Sequence, residues 1–357
     1  MSSAGRRSGR PAADLEAAAP EIAAAVGASR ARFTRRLQSL WSGYGELWRV
    51  TLDGATPDGA QSAGTSNAPP PSVIVKWVAP PPDERGRSHA RKLRSYDVEL
   101  RWYRAYAAAC DAACRVPVAW HCSARGGRWL FVLEDLDAAG FSERRSHLRA
   151  PEVESCLRWL AHFHARFLGR PPEGLWSVGT YWHLATRPDE LVALADRRLR
   201  EAAPLLDARL RSARYQTFVH GDAKVENFCF AGGSRSTAQP VTTQPVAAVD
   251  FQYVGGGPGI KDVAYFLSSC LTPRECEHSA ERHLASYFRE LRAALAAHRP
   301  DIDGGEVEAE WRELFPLAWA DFYRFLLGWA PGAYELDPYS RELTAQALRT
   351  LASAAQT

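Results

Sequence analysis

A chain of 357 residues, 46% hydrophobic and 24% charged, is long enough for two core-bearing units and has the balance of a globular protein. Its net charge of +3 is too small to direct it to nucleic acid or an anionic membrane, and no run of about 18 uncharged apolar residues marks a transmembrane helix. Seven cysteines, an odd number without a CxxC pair, read as thiols of a reducing compartment, so a cytoplasmic location is expected. Of the 44 basic residues only Lys76, Lys92, Lys224 and Lys261 are lysines. Where an otherwise Arg-rich chain keeps a Lys, a slender point charge is wanted instead of a planar fork.

In chain order, residues 1–30 carry Arg6, Arg7 and Arg10 as a transit peptide would, but Asp14, Glu16 and Glu21 speak against one. A frayed tail followed by a helix at 15–26 is expected. Aromatic and β-branched residues around Gly43 and Gly45 predict two strands joined by a tight turn. Glycines let backbone N–H groups approach a phosphate closely, and an ordinary hairpin turn fits equally well. Residues 53–72, rich in Gly, Ser, Thr, Asn and Pro, read as a solvated insertion. The strand at 72–78 holds Lys76, which either snorkels to solvent or reaches a ligand. Residues 90–109 have helical periodicity, with Glu99 near the middle, and 128–136 read as a strand entering a linker.

Helices are expected at 151–168, 188–213, 273–299 and 305–329. His162 and His164, two apart on a helix, point in different directions and cannot share a metal. The aromatic stretch 176–187 offers either a stacking surface or packing beneath a loop. Two polar clusters lie on the ends of apolar runs. One spans 218–230 and contains His220-Gly221-Asp222 and Asn227; the other spans 246–252 and contains Asp250. Each reads as a buried strand feeding an exposed turn. Asp222, Asn227 and Asp250 can converge as hard oxygen ligands, which suit Mg2+ sharing its shell with substrate phosphates.

These clusters resemble the catalytic and metal segments of the protein-kinase-like fold, in the form used by aminoglycoside phosphotransferases and choline kinases. The wording of 40–45, 91–96, 219–230 and 249–257 is most similar to the choline-kinase-like group that includes the ecdysteroid kinases. The resemblance implies an α+β, bilobal fold, with a small antiparallel sheet lobe at 31–137 and a larger, mostly helical lobe at 138–357. It implies ATP and Mg2+ as cofactors and a hydroxylated small molecule as acceptor, with neither nucleic acid nor membrane as partner. Asp222 would be the catalytic base, Lys224 would meet the transferred phosphoryl group, and His220 would brace the loop. Asn227 and Asp250 would bind the metal. Gly43, Gly45 and Lys76 would bind the nucleotide, with Glu99 pairing to Lys76 unless it is a solvated helix charge. Asp262 would brace the catalytic loop, cap the following helix, or both. Gln252 stands where protein kinases carry Gly, and Gly255 to Gly259 replace a long activation segment, which argues against a phosphorylation-regulated protein kinase. A catalytically silent nucleotide-binding protein on the same fold is the alternative.

Overall fold

The protein is described by a computed structural model over residues 12–55, 69–232 and 244–354. The expected tail at 1–11, and the expected insertion over 56–68, lie outside the described residues. The chain divides into two compact units: 1–96, 103–108 and 117–142 form the first, and 97–102, 109–116 and 143–357 the second.

The first unit runs α1 (Ala13–Glu16), α2 (Ala19–Ala25), β1 (Ala28–Ser39), β2 (Gly45–Ala55), β3 (Ser72–Val78), α3 (Arg87–Ala105), β4 (Ala119–Arg125) and β5 (Arg128–Glu134). Residues 97–102 of α3 count with the second unit. The strands form one antiparallel sheet in the order β1-β2-β3-β5-β4. Period-two alternation buries Trp48, Val50, Val73, Val75, Leu130 and Val132 on one face, where Leu15, Ile22 and Val26 cover them. The helix expected at 15–26 is in two pieces, because Pro20 opens a new helix in its first turn. β4 was not anticipated; its residues carry no clean alternation, and it is recruited by pairing with β5. Asp135, in the segment leaving β5, is 3% exposed and holds Arg49 by an ion pair at 2.7 Å.

The second unit contains α4 (Ala150–Phe167), α5 (Pro188–Ala193), α6 (Arg197–Arg211), β6 (Thr217–Val219), β7 (Phe228–Phe230), β8 (Val246–Ala248), β9 (Gly255–Gly257), α7 (Ile260–Cys270), α8 (Pro273–His298), α9 (Gly304–Trp329) and α10 (Pro338–Ala354). Two antiparallel ribbons, β6 with β9 and β7 with β8, lie among the helices. An α+β fold with a five-stranded antiparallel sheet and a larger helical unit is therefore what the chain adopts. The single helix expected at 188–213 is two, since Leu194 is extended and Asp196 starts a fresh helix by accepting from Leu199 N. The core is aromatic: Trp102 stacks on Phe251 at 4.5 Å, Trp159 on Phe163 at 4.9 Å, and Phe167 on Phe218 at 4.8 Å. No helix among the described residues is long and apolar enough to cross a membrane.

Three buried or half-buried histidines set an acid limit on stability. Burial lowers His162 and His220, and it lowers His283 to about 4 with Arg282 adding repulsion. A histidine depressed in the folded state binds its proton more readily when unfolded, so it favours folding above pH 6.5 and loses that contribution as pH falls toward 4. The melting temperature is expected to decline through this window, and His283→Gln to flatten the decline. An unchanged slope in the variant would remove His283 from the account.

Candidate active site

In the second unit, β6 delivers the chain into the turn 220–223. This turn is buried, not exposed as the sequence pattern suggested: His220 is 0% and Asp222 7% exposed. Gly221 is required there, because its φ is +78° and a Cβ would lie 2.1 Å from the Tyr253 carbonyl. Asp262, on α7, holds the turn from below. Its Oδ2 accepts from His220 N at 2.5 Å, and its Oδ1 from Gly221 N at 3.0 Å. His164 places Nε2 3.2 Å from the same carboxylate, and its Nδ1 lies 2.8 Å from the Tyr287 hydroxyl. Asp262 caps no helix, since α7 begins at Ile260 with no side-chain cap. Of the two uses the sequence allowed for Asp262, only the brace is present.

His220 is tied by both ring nitrogens. Asp222 N donates to Nδ1 at 3.2 Å, so Nδ1 is the acceptor and Nε2 carries the hydrogen that Val249 O accepts at 3.0 Å. With its proton affinity lowered by burial, His220 is a neutral brace that positions the loop. Val249 N in turn donates to Asn227 O at 3.0 Å, and Phe228 pairs with Ala248. These bonds set Asn227 beside the residue preceding Asp250, so the ribbon β7–β8 brings the two predicted metal ligands together. Asp250 has a φ of 68°, a left-handed conformation that Asp and Asn tolerate better than most side chains. Phe251 follows, 0% exposed, with its ring 4.6 Å from that of His220.

The Asp222 carboxylate is engaged at both oxygens. Oδ2 accepts from Asn227 Nδ2 at 3.0 Å and pairs with Lys224 Nζ at 3.2 Å, while Oδ1 accepts from the Tyr265 hydroxyl at 3.2 Å. Burial, opposed by Lys224 and reinforced by the Asp250 charge, pushes the carboxyl up to about 7. A carboxyl near 7 is matched to accepting a proton at neutral pH.

In the first unit, Gly43 lies between β1 and β2, and Gly45 opens β2 opposite Val78. Gly43 has a φ of +72° with open space where a Cβ would be, whereas a Cβ on Gly45 would lie 2.0 Å from the Trp77 carbonyl of the paired strand. Gly45 is thus demanded by the sheet itself. Lys92, from α3, sits 3.0 Å from Ser42 Oγ and 4.2 Å above the Tyr44 ring, holding the turn. Lys76 pairs in register with Leu47 and Phe131. At 6% exposure, with Nζ about 6 Å from the rings of Tyr96 and Phe131, it does not snorkel to solvent. Glu99, in the stretch of α3 that counts with the second unit, is 1% exposed, so it is not a solvated helix charge either.

The aromatic stretch at 176–187 packs inward. Trp176 stacks with Tyr253 at 6.2 Å, Tyr181 meets Tyr265 at 5.6 Å, and Trp182 is fully buried. Trp182 Nε1 donates to Asp321 at 3.0 Å, and Asp321 also holds Arg324 at 2.7 Å and Lys261 at 3.4 Å. Sequence reasoning missed this cluster and Tyr265. A usable signal existed for Tyr265: it lies three residues after Asp262, on the same face of one helix.

Solved structures with low identity share much of the chain's length. A microcompartment-associated aminopropanol kinase is 15% identical, covering 87% of this chain and 93% of its own, with a TM-score of 0.46. APH(2")-IIia, solved with GDP and kanamycin, is 13% identical over 91% of this chain and 94% of its own, at 0.42. An aminoglycoside phosphotransferase of Streptomyces rimosus is 14% identical over 87% and 100%, at 0.40. No protein with a curated description matches the chain. Residues 180–299, a third of the chain and the stretch that holds His220, Asp222, Asn227, Asp250 and Asp262, match the model of the ecdysteroid kinase-like family, so the resemblance read from the sequence is borne out over that stretch.

Proposed function

We propose that the protein is an ATP- and Mg2+-dependent kinase that transfers the γ-phosphoryl group to a hydroxyl of a small molecule. The observation carrying this reading is the Asp222 turn, a buried carboxylate locked between Asn227, Lys224 and Tyr265 on a loop that Asp262 braces. The donor chemistry fits Mg2+. Asn227 commits its amide nitrogen to Asp222, which leaves Oδ1 to ligate, and Asp250 supplies a carboxylate. Two hard oxygen ligands, completed by phosphates and water, are what Mg2+ usually takes from a protein. When bound, the ion would neutralise charge on the phosphates.

Phosphoryl transfer then needs positioning more than covalent chemistry. The acceptor oxygen bonds to the γ-phosphorus while the bond to the ADP oxygen breaks, and the hydroxyl proton passes to Asp222. Lys224, half-exposed and now on Oδ2, moves to the transferred group and so frees that oxygen. Lys76 and the turn holding Gly43 and Gly45 bind the nucleotide phosphates. The seven free thiols support a cytoplasmic location.

The test is ATP consumption against choline and ethanolamine, aminoglycosides, sugars and sterols. The expected result is one acceptor class that raises turnover. ATP binding without turnover in any arm favours the silent alternative, and no nucleotide binding overturns the reading. Asp250→Asn, which keeps a residue tolerant of the 68° φ but removes the charge, is expected to weaken Mg2+-ATP binding on the order of tenfold or more without lowering the melting temperature. Calorimetric titration showing wild-type affinity would exclude Asp250 as a ligand.

A further inference from the structure

We propose that Tyr265 is a positioning residue for Asp222, its hydroxyl fixing Oδ1 so that Oδ2 is the oxygen that takes the substrate's proton. This rests on the kinase reading above. The Tyr265 hydroxyl donates to Oδ1 at 3.2 Å, and the two residues are 6% and 7% exposed, so water does not readily replace the bond. Oδ2 is shared by Asn227 at 3.0 Å and Lys224 at 3.2 Å. Of the three partners, only Lys224 is on a side chain with substantial exposure, 36%, and only it can leave without stranding a buried polar group. The carboxylate is thereby left with one oxygen that can open toward a substrate.

Tyr265 is itself held in place. Its ring lies 4.9 Å from Trp182, 4.8 Å from Phe322 and 5.6 Å from Tyr181. It sits one turn after Asp262, so α7 grips the catalytic turn twice, through the backbone of His220 and Gly221 and through the side chain of Asp222. The Tyr265 hydroxyl also hydrogen-bonds with Tyr181, so it is held from the aromatic cluster as well as by Asp222.

Tyr265→Phe separates the two roles, because it keeps the ring and removes the donor. With the acceptor found in the panel, or with water as acceptor for Mg2+-ATP, kcat is expected to fall about 10- to 50-fold while KM for ATP stays within about twofold. A kcat within about twofold of wild type overturns the proposal, as does a loss appearing in KM for ATP alone. Wild-type turnover by Asp222→Asn would instead overturn the base assignment and with it the kinase reading. Should no acceptor support turnover, the crystal structure of Tyr265→Phe decides. The Asp222 carboxylate is expected to rotate away from its bond to Asn227 Nδ2, and an unmoved carboxylate overturns the positioning role.

Discussion

Asp222→Asn is expected to lower kcat by a factor on the order of a thousand or more while leaving Mg2+-ATP affinity close to wild type. The range follows from what a positioned general base contributes, about 10²–10⁴-fold, with transition-state orientation lost in addition. The fold tolerates the change. Asn is nearly the shape of Asp, its oxygen can still accept from Asn227 Nδ2, and the Tyr265 hydroxyl can turn to suit the new neighbour. Removing a carboxylate whose burial already pushes it up to about 7 also takes away a charge that the site holds at a cost. What is lost is the ability to take a proton from the attacking hydroxyl. Steady-state kinetics and nucleotide titration on the same preparation separate the two quantities. Turnover retained within about tenfold would remove Asp222 as the base.

The parts of this protein legible in the sequence are those where local chemistry and local structure coincide. The spacing of Asp222, Asn227 and Asp250 pointed to convergence because two short strands separated by a connection bring their ends together, and β7 and β8 pair in that way. The rarity of lysine drew attention to Lys76, whose burial between aromatic rings no periodicity could have shown. Helices with a continuous apolar stripe, such as α4, α8 and α9, were read nearly to their ends. Features made by tertiary contact were not. β4 exists through its pairing with β5, and the Lys261–Asp321–Arg324 cluster joins residues about sixty positions apart. The turn 220–223 was expected in solvent, because polar residues in a run usually are. Its burial is possible because Asp262 and Val249 satisfy the polar groups of His220 and Gly221, and Asn227, Lys224 and Tyr265 those of Asp222.

That satisfaction makes Asp262 the residue whose loss is expected to cost the fold most. It is 0% exposed and acceptor-only, and it faces three donors: the N–H groups of His220 and Gly221 and the ring of His164. Asp262→Ala leaves two backbone N–H groups buried without partners, each costing about 1–3 kcal/mol, and frees the histidine as well. A destabilisation of about 2–6 kcal/mol is expected from the two stranded N–H groups. Asp262→Asn discriminates between a need for volume and a need for two acceptors. The two backbone donors sit on different carboxylate oxygens, so an amide must turn its NH2 group toward one of them whichever way it is placed. The expected result is that Asn recovers little of the stability lost with Ala, and that neither variant catalyses, since Gly221 and the Asp222 carboxylate depend on the same anchor. Urea unfolding midpoints of the two variants against wild type measure this directly. An Asn variant as stable as wild type would mean that the turn is held by packing against α7 and that the carboxylate is dispensable to it.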